Sequence, residues 1–443
     1  MPDRWEDRTT VLIHHGVIIT NDERLGVLGD GAVRLEGQRI VDVGASAALL
    51  ERYPEDERLD ACGLLVLPGL VSLHTHLHRT LVRGRLAALA QPQPERLRVE
   101  AALNYEDIRY AMLMGAMEAL RRGTTTVFDQ LSAPNARRFA LDAAAEALLQ
   151  CGLRACLSYV VSDRDGLGEG RHGIQENVRF AQRAEGEPLL CGSIGLGTCT
   201  SLSNETLRAA VGAAALADLG FHVGLGTYRG ELRDCELRYH EGAVQRLYAA
   251  GVLGPRTLIV YGPPFPQIGL DLIRRAHATI VFAPRMISLA RGELGDVAQL
   301  PELLRQSLSL TLGSGELAAD TLSEAQEAYR ILARHRGGAG AAEAVRAMLG
   351  ANSTLAARFF RDRLGALAPD YLADLVILNY AGADQVTADN WPYHVLAATD
   401  AAAVHTAVVG GRVVLHRGHL TLVDEEAIAA HAREQCRDLL ARL

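Results

Sequence analysis

Eight short apolar or β-branched runs, each followed by a longer helical pattern, recur between residues 67 and 313, and this alternation limits the fold more than any other feature of the chain. The runs span residues 67–73 (LPGLVSL), 124–128 (TTTVF), 154–161 (RACLSYVV), 189–197 (LLCGSIGLG), 221–226 (FHVGLG), 257–261 (TLIVY), 279–283 (TIVFA) and 308–313 (LSLTLG). Strand–helix units in series give a parallel sheet. Eight of them in about 250 residues fit a closed barrel better than an open doubly wound sheet. The expected class is α/β, a (β/α)8 TIM-type barrel. Before and after it, TVLIHHGVIIT, GAVRLEGQRIVDVG, ADLVILN and TAVVGGRVVLHRGHL alternate in the strand manner. These flanks predict one small β-sandwich assembled from both chain ends. The expected divisions are 1–65 for its first part, 66–364 for the barrel, and 365–443 for its second part with a terminal helix near 424–441.

Within the barrel, Asn104 and Asn204 are expected as helix N-caps and Gly123 as a helix stop. The glycine-rich stretches at 166–173 and 337–340 read as loops, the first being the better lid position.

The balance of 45 basic against 53 acidic residues leaves a net charge of −8, which gives no electrostatic reason to expect nucleic acid or an anionic membrane as partner. The N-terminal segment MPDRWEDRTT is charged, and no window approaches the apolar length of a membrane span, so a cytoplasmic location is expected. Seven scattered cysteines without a Cys-x-x-Cys pair suggest free thiols rather than disulfides or a thiolate metal site. Lysine is absent altogether, which excludes Schiff-base chemistry, a lysine general base and a lysine carbamate bridging two metals.

The motif that carries chemistry closes the first barrel run. In LPGLVSLHTHLH, His74 and His76 stand two residues apart and leave the strand on one face, at the end where barrel active sites lie. Two imidazoles so placed suit a borderline metal. His78, starting the next loop, is a candidate substrate contact. Asp129 after the second run and Arg285 beyond the seventh sit where strand ends meet a pocket. The remaining histidines, His222 aside, show no metal spacing.

VLPGLVSLHTHLHRTLVRG resembles the first-strand motif of the amidohydrolase superfamily, in its deaminase and chlorohydrolase branch. GTTTVFDQ, SDRDGLGEGRHGIQENVRFAQ, ADLVILN and VVGGRVV extend the likeness over nearly the full length, closest to the SsnA-type aminohydrolases. The resemblance implies a barrel plus sandwich, one divalent metal, hydrolysis at a C–N or C–Cl carbon, and a dimer. It also implies two further histidine ligands on strands five and six, a catalytic Glu on strand five and an Asp after strand eight. At those positions this chain carries Gly224, Tyr261, Thr227 and Gly315, with Glu316 adjacent and Asp320 on a position that the SsnA pattern also fills with Asp.

Only the strand-one pair of ligands therefore remains, and no cofactor is the main expectation. His222, two residues before Gly224 and one layer deeper, and Glu316 are the replacement ligands that would restore zinc or another divalent metal. Three readings stay open. The first is a non-catalytic member that binds a small molecule or pairs with a catalytically complete paralogue, as part of a homo- or hetero-oligomer. The second is an altered enzyme using Tyr261, Glu316 and Arg285 for metal-free acid–base work. The third is a metallohydrolase with replacement ligands, acting like the second on a small nitrogenous substrate.

Overall fold

A computed structural model describes residues 10–86, 93–228, 230–260, 265–289, 297–380, 382, 384–399 and 403–443. The first strands are β1 (Thr10–Ile19), β2 (Val27–Glu36), β3 (Arg39–Ala45), β4 (Glu57–Asp60) and β5 (Leu64–Pro68). The barrel staves follow as β6 (Leu70–Thr75), β7 (Thr124–Leu131), β8 (Arg154–Val161), the short β9 (Leu190–Gly192) and β10 (Ile194–Leu196), β11 (Phe221–Gly224), β12 (Thr257–Val260), β13 (Thr279–Phe282) and β14 (Ser309–Leu312). The chain closes with β15 (Leu375–Asn379), β16 (Val404–Val409), β17 (Arg412–His416), β18 (His419–Leu420) and a helix over Glu425–Arg442.

The staves pair in parallel in the order β14-β13-β12-β11-β10-β8-β7-β6, with β9 on β8. They are buried along nearly every position, as strands covered on both faces must be. The ring closes between β14 and β6 by backbone rather than by a full ladder: Ser314 and Gly315 both donate their N–H to the His74 carbonyl, at 2.9 and 3.0 Å. Two glycines make this possible. A Cβ on Gly313 would lie 2.9 Å from both the backbone nitrogen and the Cβ of His74. Gly315 has φ +60°, the left-handed region that favours glycine.

The flanks form the β-rich part expected of them, joined edge to edge in the order β18-β17-β16-β15-β5-β1-β2-β3, with β4 on β1. The two chain ends meet where β5 runs antiparallel to β15, from Leu375 opposite Pro68 to Asn379 opposite Leu64. Beneath, Arg154 at the foot of β8 makes a buried bidentate ion pair with Asp374 (2.6 and 2.9 Å). That pair fastens the barrel to the sheet.

Several local expectations change. Asn104 does cap its helix, with Asp107 completing a capping box, and Gly123 at φ +75° ends it. For the helix over Asn204–Leu216, however, the cap is Ser203, whose hydroxyl accepts from the Thr206 N–H at 3.1 Å. Most of the 166–173 stretch lies inside the helix Leu167–Ala184 rather than in a loop. Gly337 kinks the long helix Thr321–Phe360. The thiol expectation fails at one pair, Cys199 and Cys235, which form a disulfide between the turn after β10 and the helix over Glu231–Tyr239. No Cys spacing marks such a pair in the sequence. Among the described residues no helix is long and apolar enough to cross a membrane.

Candidate functional site

The carboxyl ends of β6, β7, β10 and β11 surround a cavity of about 110 Å³. Four predicted residues lie on its wall: His76, Gly224, Thr227 and Glu316. Each arrives by a distinct backbone device. His76 follows the last residue of β6, and Gly224 ends β11. Thr227 is held by Glu231, whose Oε2 accepts from the Thr227 N–H and hydroxyl at 2.8 and 3.1 Å. Glu316 is turned inward by the left-handed Gly315 before it.

His76 Nδ1 lies 2.8 Å from the Gln130 carbonyl. A carbonyl only accepts, so Nδ1 carries the proton and Nε2 keeps its lone pair. Burial, reinforced by the nearby Arg79 cation, lowers the His76 pKa to about 4, so the ring is neutral at neutral pH. His74 is almost fully buried behind it, and its Nδ1 lies 2.8 Å from Nε2 of His222. Burial pushes His222 down to about 3 and His74 well below the usual imidazole range.

Next to the histidines stands a group that the sequence reading missed. Leu77–Val82 form a 3-10 helix whose first turn, with the Arg79 N–H on the His76 carbonyl at 3.1 Å, brings the Arg79 side chain over the cavity. Its guanidinium donates to Glu316 and to Glu100, both buried. Ser132 donates to the second oxygen of Glu100 at 2.7 Å, and Arg96 reaches both Glu316 and the Thr227 carbonyl at 3.3 Å. Burial opposes ionisation of Glu316, but Arg79, His76 and Arg96 outweigh it and hold its carboxyl well below the usual carboxylate range. The missed signal was position: Arg79 directly follows the three alternate histidines. Glu100 and Arg96 come from a helix between strands one and two and carry no motif.

Other predicted pocket residues lie elsewhere. Asp129 leaves β7 on the face away from the cavity, where it accepts from the Thr75 hydroxyl and the Leu77 N–H, both at 2.7 Å. Burial raises it to about 7. His78 is buried off the cavity wall, with no hydrogen-bond partner on either ring nitrogen among the described residues. His222 is a support beneath His74, not a wall residue. Asp320 caps the helix Thr321–Phe360 through the Ser323 N–H (2.9 Å) and pairs with Arg122 (2.7 Å). Arg285 lies 3.5 Å from Glu324 and 3.8 Å from Asp320, in that same cluster, and is not on the cavity wall. Gly315 serves barrel closure. Tyr261 falls outside the described residues.

Among the described residues the donor set does not suit a zinc ion. Catalytic zinc takes about three protein ligands and an open water position. Gly224 and Gly315 offer no side-chain donor. The replacement ligands do not converge either: His222 hydrogen-bonds to His74 from below, and Glu316 is engaged by Arg79 and Arg96. Among the described residues no group of three or more His, Cys, Asp or Glu side chains is arranged to hold a metal.

Comparison with known proteins places this geometry in context. A 5-methylthioadenosine/S-adenosylhomocysteine deaminase of Pelotomaculum thermopropionicum is 26% identical over 98% of this chain and 99% of its own. A 5'-deoxyadenosine deaminase of Methanosarcina acetivorans is 24% identical over 98% and 99%. Among solved structures, an adenosine deaminase from Xanthomonas campestris with bound zinc superimposes with a TM-score of 0.85, at 22% identity over 97% of this chain and 98% of that one. The zinc complex of atrazine chlorohydrolase from Arthrobacter aurescens gives 0.78 at 20% identity, over 96% and 100%. Both structural likenesses speak for the fold. The family model for amidohydrolases matches residues 65–414, most of the chain, and the protein belongs to the amidohydrolase family.

Proposed function

We propose that the protein hydrolyses a C–N bond of a small nitrogenous molecule held in the cavity at the barrel mouth, with its own side chains handling the protons. The observation that carries this reading is His76. Its Nδ1–H is fixed on the Gln130 carbonyl, which leaves a neutral Nε2 lone pair on the wall of a small cavity. Such a nitrogen takes a proton from water as water adds to the amine-bearing carbon. His76 then passes that proton to the amine nitrogen, whose bond to carbon breaks as it leaves as ammonia. Arg79 and Arg96 supply fixed positive charge where negative charge develops on the adding oxygen. The names of full-length relatives, deaminases of methylthioadenosine and 5'-deoxyadenosine, support a purine nucleoside as the first substrate class to test.

A second reading is favoured by one specific observation, the residues Gly224, Thr227 and Gly315 at positions where the family motif carries ligands and a catalytic Glu. Here the cavity binds its ligand without turnover, alone or beside a complete paralogue. Ammonia release and thermal shift, measured with methylthioadenosine, S-adenosylhomocysteine and 5'-deoxyadenosine, separate the two. The hydrolytic reading expects release that falls at least about a hundredfold in His76→Ala while the thermal shift persists. A thermal shift without any ammonia selects the binding reading, and neither signal rejects these nucleosides as ligands.

A further inference from the structure

We infer that Arg79 is the resident cation of this site: its guanidinium, clamped between Glu100 and Glu316 beside His76, stands where the family's chemistry relies on a divalent metal, and it occupies the carboxylates that such a metal would need. The inference rests on the cavity being the functional site, but metal occupancy is read without any substrate.

Four observations converge. The cluster is complete in itself, since Arg79 and Arg96 carry two positive charges and Glu100 and Glu316 two negative ones. Of the three carboxylates that line the cavity, the two nearest Arg79 are already engaged, Glu100 by Arg79 and Ser132 and Glu316 by Arg79 and Arg96, and Asp165 is the third. The Arg79 side chain is 9% exposed and its two partners 7%, so little solvent screens its charge from anything placed beside His76. Finally, Glu316 follows Gly315, the position that the resemblance assigns to the metal-binding Asp. The chain thus keeps a carboxylate at this end of strand eight but aims it at a guanidinium.

An arginine suits this role for a chemical reason. Its guanidinium stays protonated throughout the pH range in which proteins fold, and its planar fork matches carboxylates on two edges. The charge is therefore permanent and fixed in direction. A divalent ion added there finds those two carboxylates already taken, and a ligand oxygen meets N–H donors fixed in place.

The test is elemental analysis of the full chain purified without chelator from zinc-supplemented cells, followed by zinc titration of the wild type and of Arg79→Ala. We expect the wild type to carry well under about a tenth of a zinc per chain, and Arg79→Ala to gain zinc binding, because Glu100 and Glu316 lose their counter-ion next to His76. Should that variant be too unstable to titrate, its Tm in about 10 mM guanidinium against the same sodium concentration gives a second readout. A rise of several degrees, absent in the wild type, is expected. Wild-type chain holding about one zinc overturns the inference, as does an Arg79→Ala variant whose zinc affinity and guanidinium response both match the wild type. The outcomes separate from those of the hydrolytic reading. Zinc-free wild type that releases no ammonia removes hydrolysis and leaves the role of Arg79, whereas zinc-loaded active wild type removes the role of Arg79 and leaves hydrolysis.

Discussion

Gly224 and Gly315 differ in what restoring a donor would cost. Among the described residues a Cβ on Gly224 would meet Thr227 Cγ2 at 3.2 Å and the Leu196 carbonyl at 3.9 Å, so the first atom of a side chain enters with a slight shift of a threonine methyl. Gly315 sits at φ +60°, where any other residue strains the backbone. We predict that Gly224→His leaves stability nearly unchanged, whereas Gly315→Asp lowers it by about 1 kcal/mol, read from urea midpoints. Neither substitution alone should bring in zinc while Arg79 remains. Glu324 makes a second prediction at this scale. Burial, only partly offset by Arg285, raises its carboxyl to about 8 from an ordinary 4.5. The folded chain thus holds a proton there that the unfolded chain releases, so this group's stabilising contribution is present at low pH and lost as pH rises from about 4.5 to about 8. The expected slope reaches at most about 1.4 kcal/mol per pH unit. Glu324→Gln, which can still accept from the Arg285 N–H, should flatten Tm against pH over that range; an unchanged profile would assign the slope to other groups.

At the scale of elements, the eight staves were legible because burial on both faces demands unbroken apolar runs, and the run at 154–161 coincides with β8 to the residue. The site was legible only in part, for physical reasons. Period two along β6 places His74 and His76 on one face, but strand phase alone did not show that Asp129 leaves β7 on the outside, where Thr75 and Leu77 bind it. Arg79, Glu100 and Arg96 meet from a turn and a separate helix, a convergence made by tertiary packing that no local spacing encodes. The closure of β14 onto β6 offers the test at this scale. In Gly313→Ala, the new methyl would press on the backbone and Cβ of His74 at 2.9 Å, and neither strand can retreat without opening the ring. A loss of about 2 kcal/mol is expected from this overpacking, with the His74 and His76 resonances shifting in NMR spectra. An Ala variant as stable as the wild type would show that the seam is pliable.

For the whole molecule, the question is how a barrel and a sheet drawn from both chain ends hold one another in register. Asp374 is the junction. Its carboxylate takes Arg154 of β8 and the Gly410 N–H (2.7 Å), while its backbone carbonyl accepts from the Gly69 N–H (2.9 Å) in the link between β5 and β6. One residue thereby touches a barrel stave, the turn between β16 and β17, and the strand crossing from sheet to barrel. Arg154 is fully buried and Asp374 nearly so, which makes the pair costly to break and only modestly useful to keep, since desolvation offsets most of the attraction. The two consequences differ in sign and can be measured together. Asp374→Leu leaves a guanidinium buried without its carboxylate and should cost about 3–5 kcal/mol in urea unfolding. Arg154→Leu combined with Asp374→Leu removes both charges, and its cost should fall well below the sum of the two single changes. Strict additivity would mean that the residues do not act as a pair, and that barrel and sheet are held in register by their shared apolar core instead.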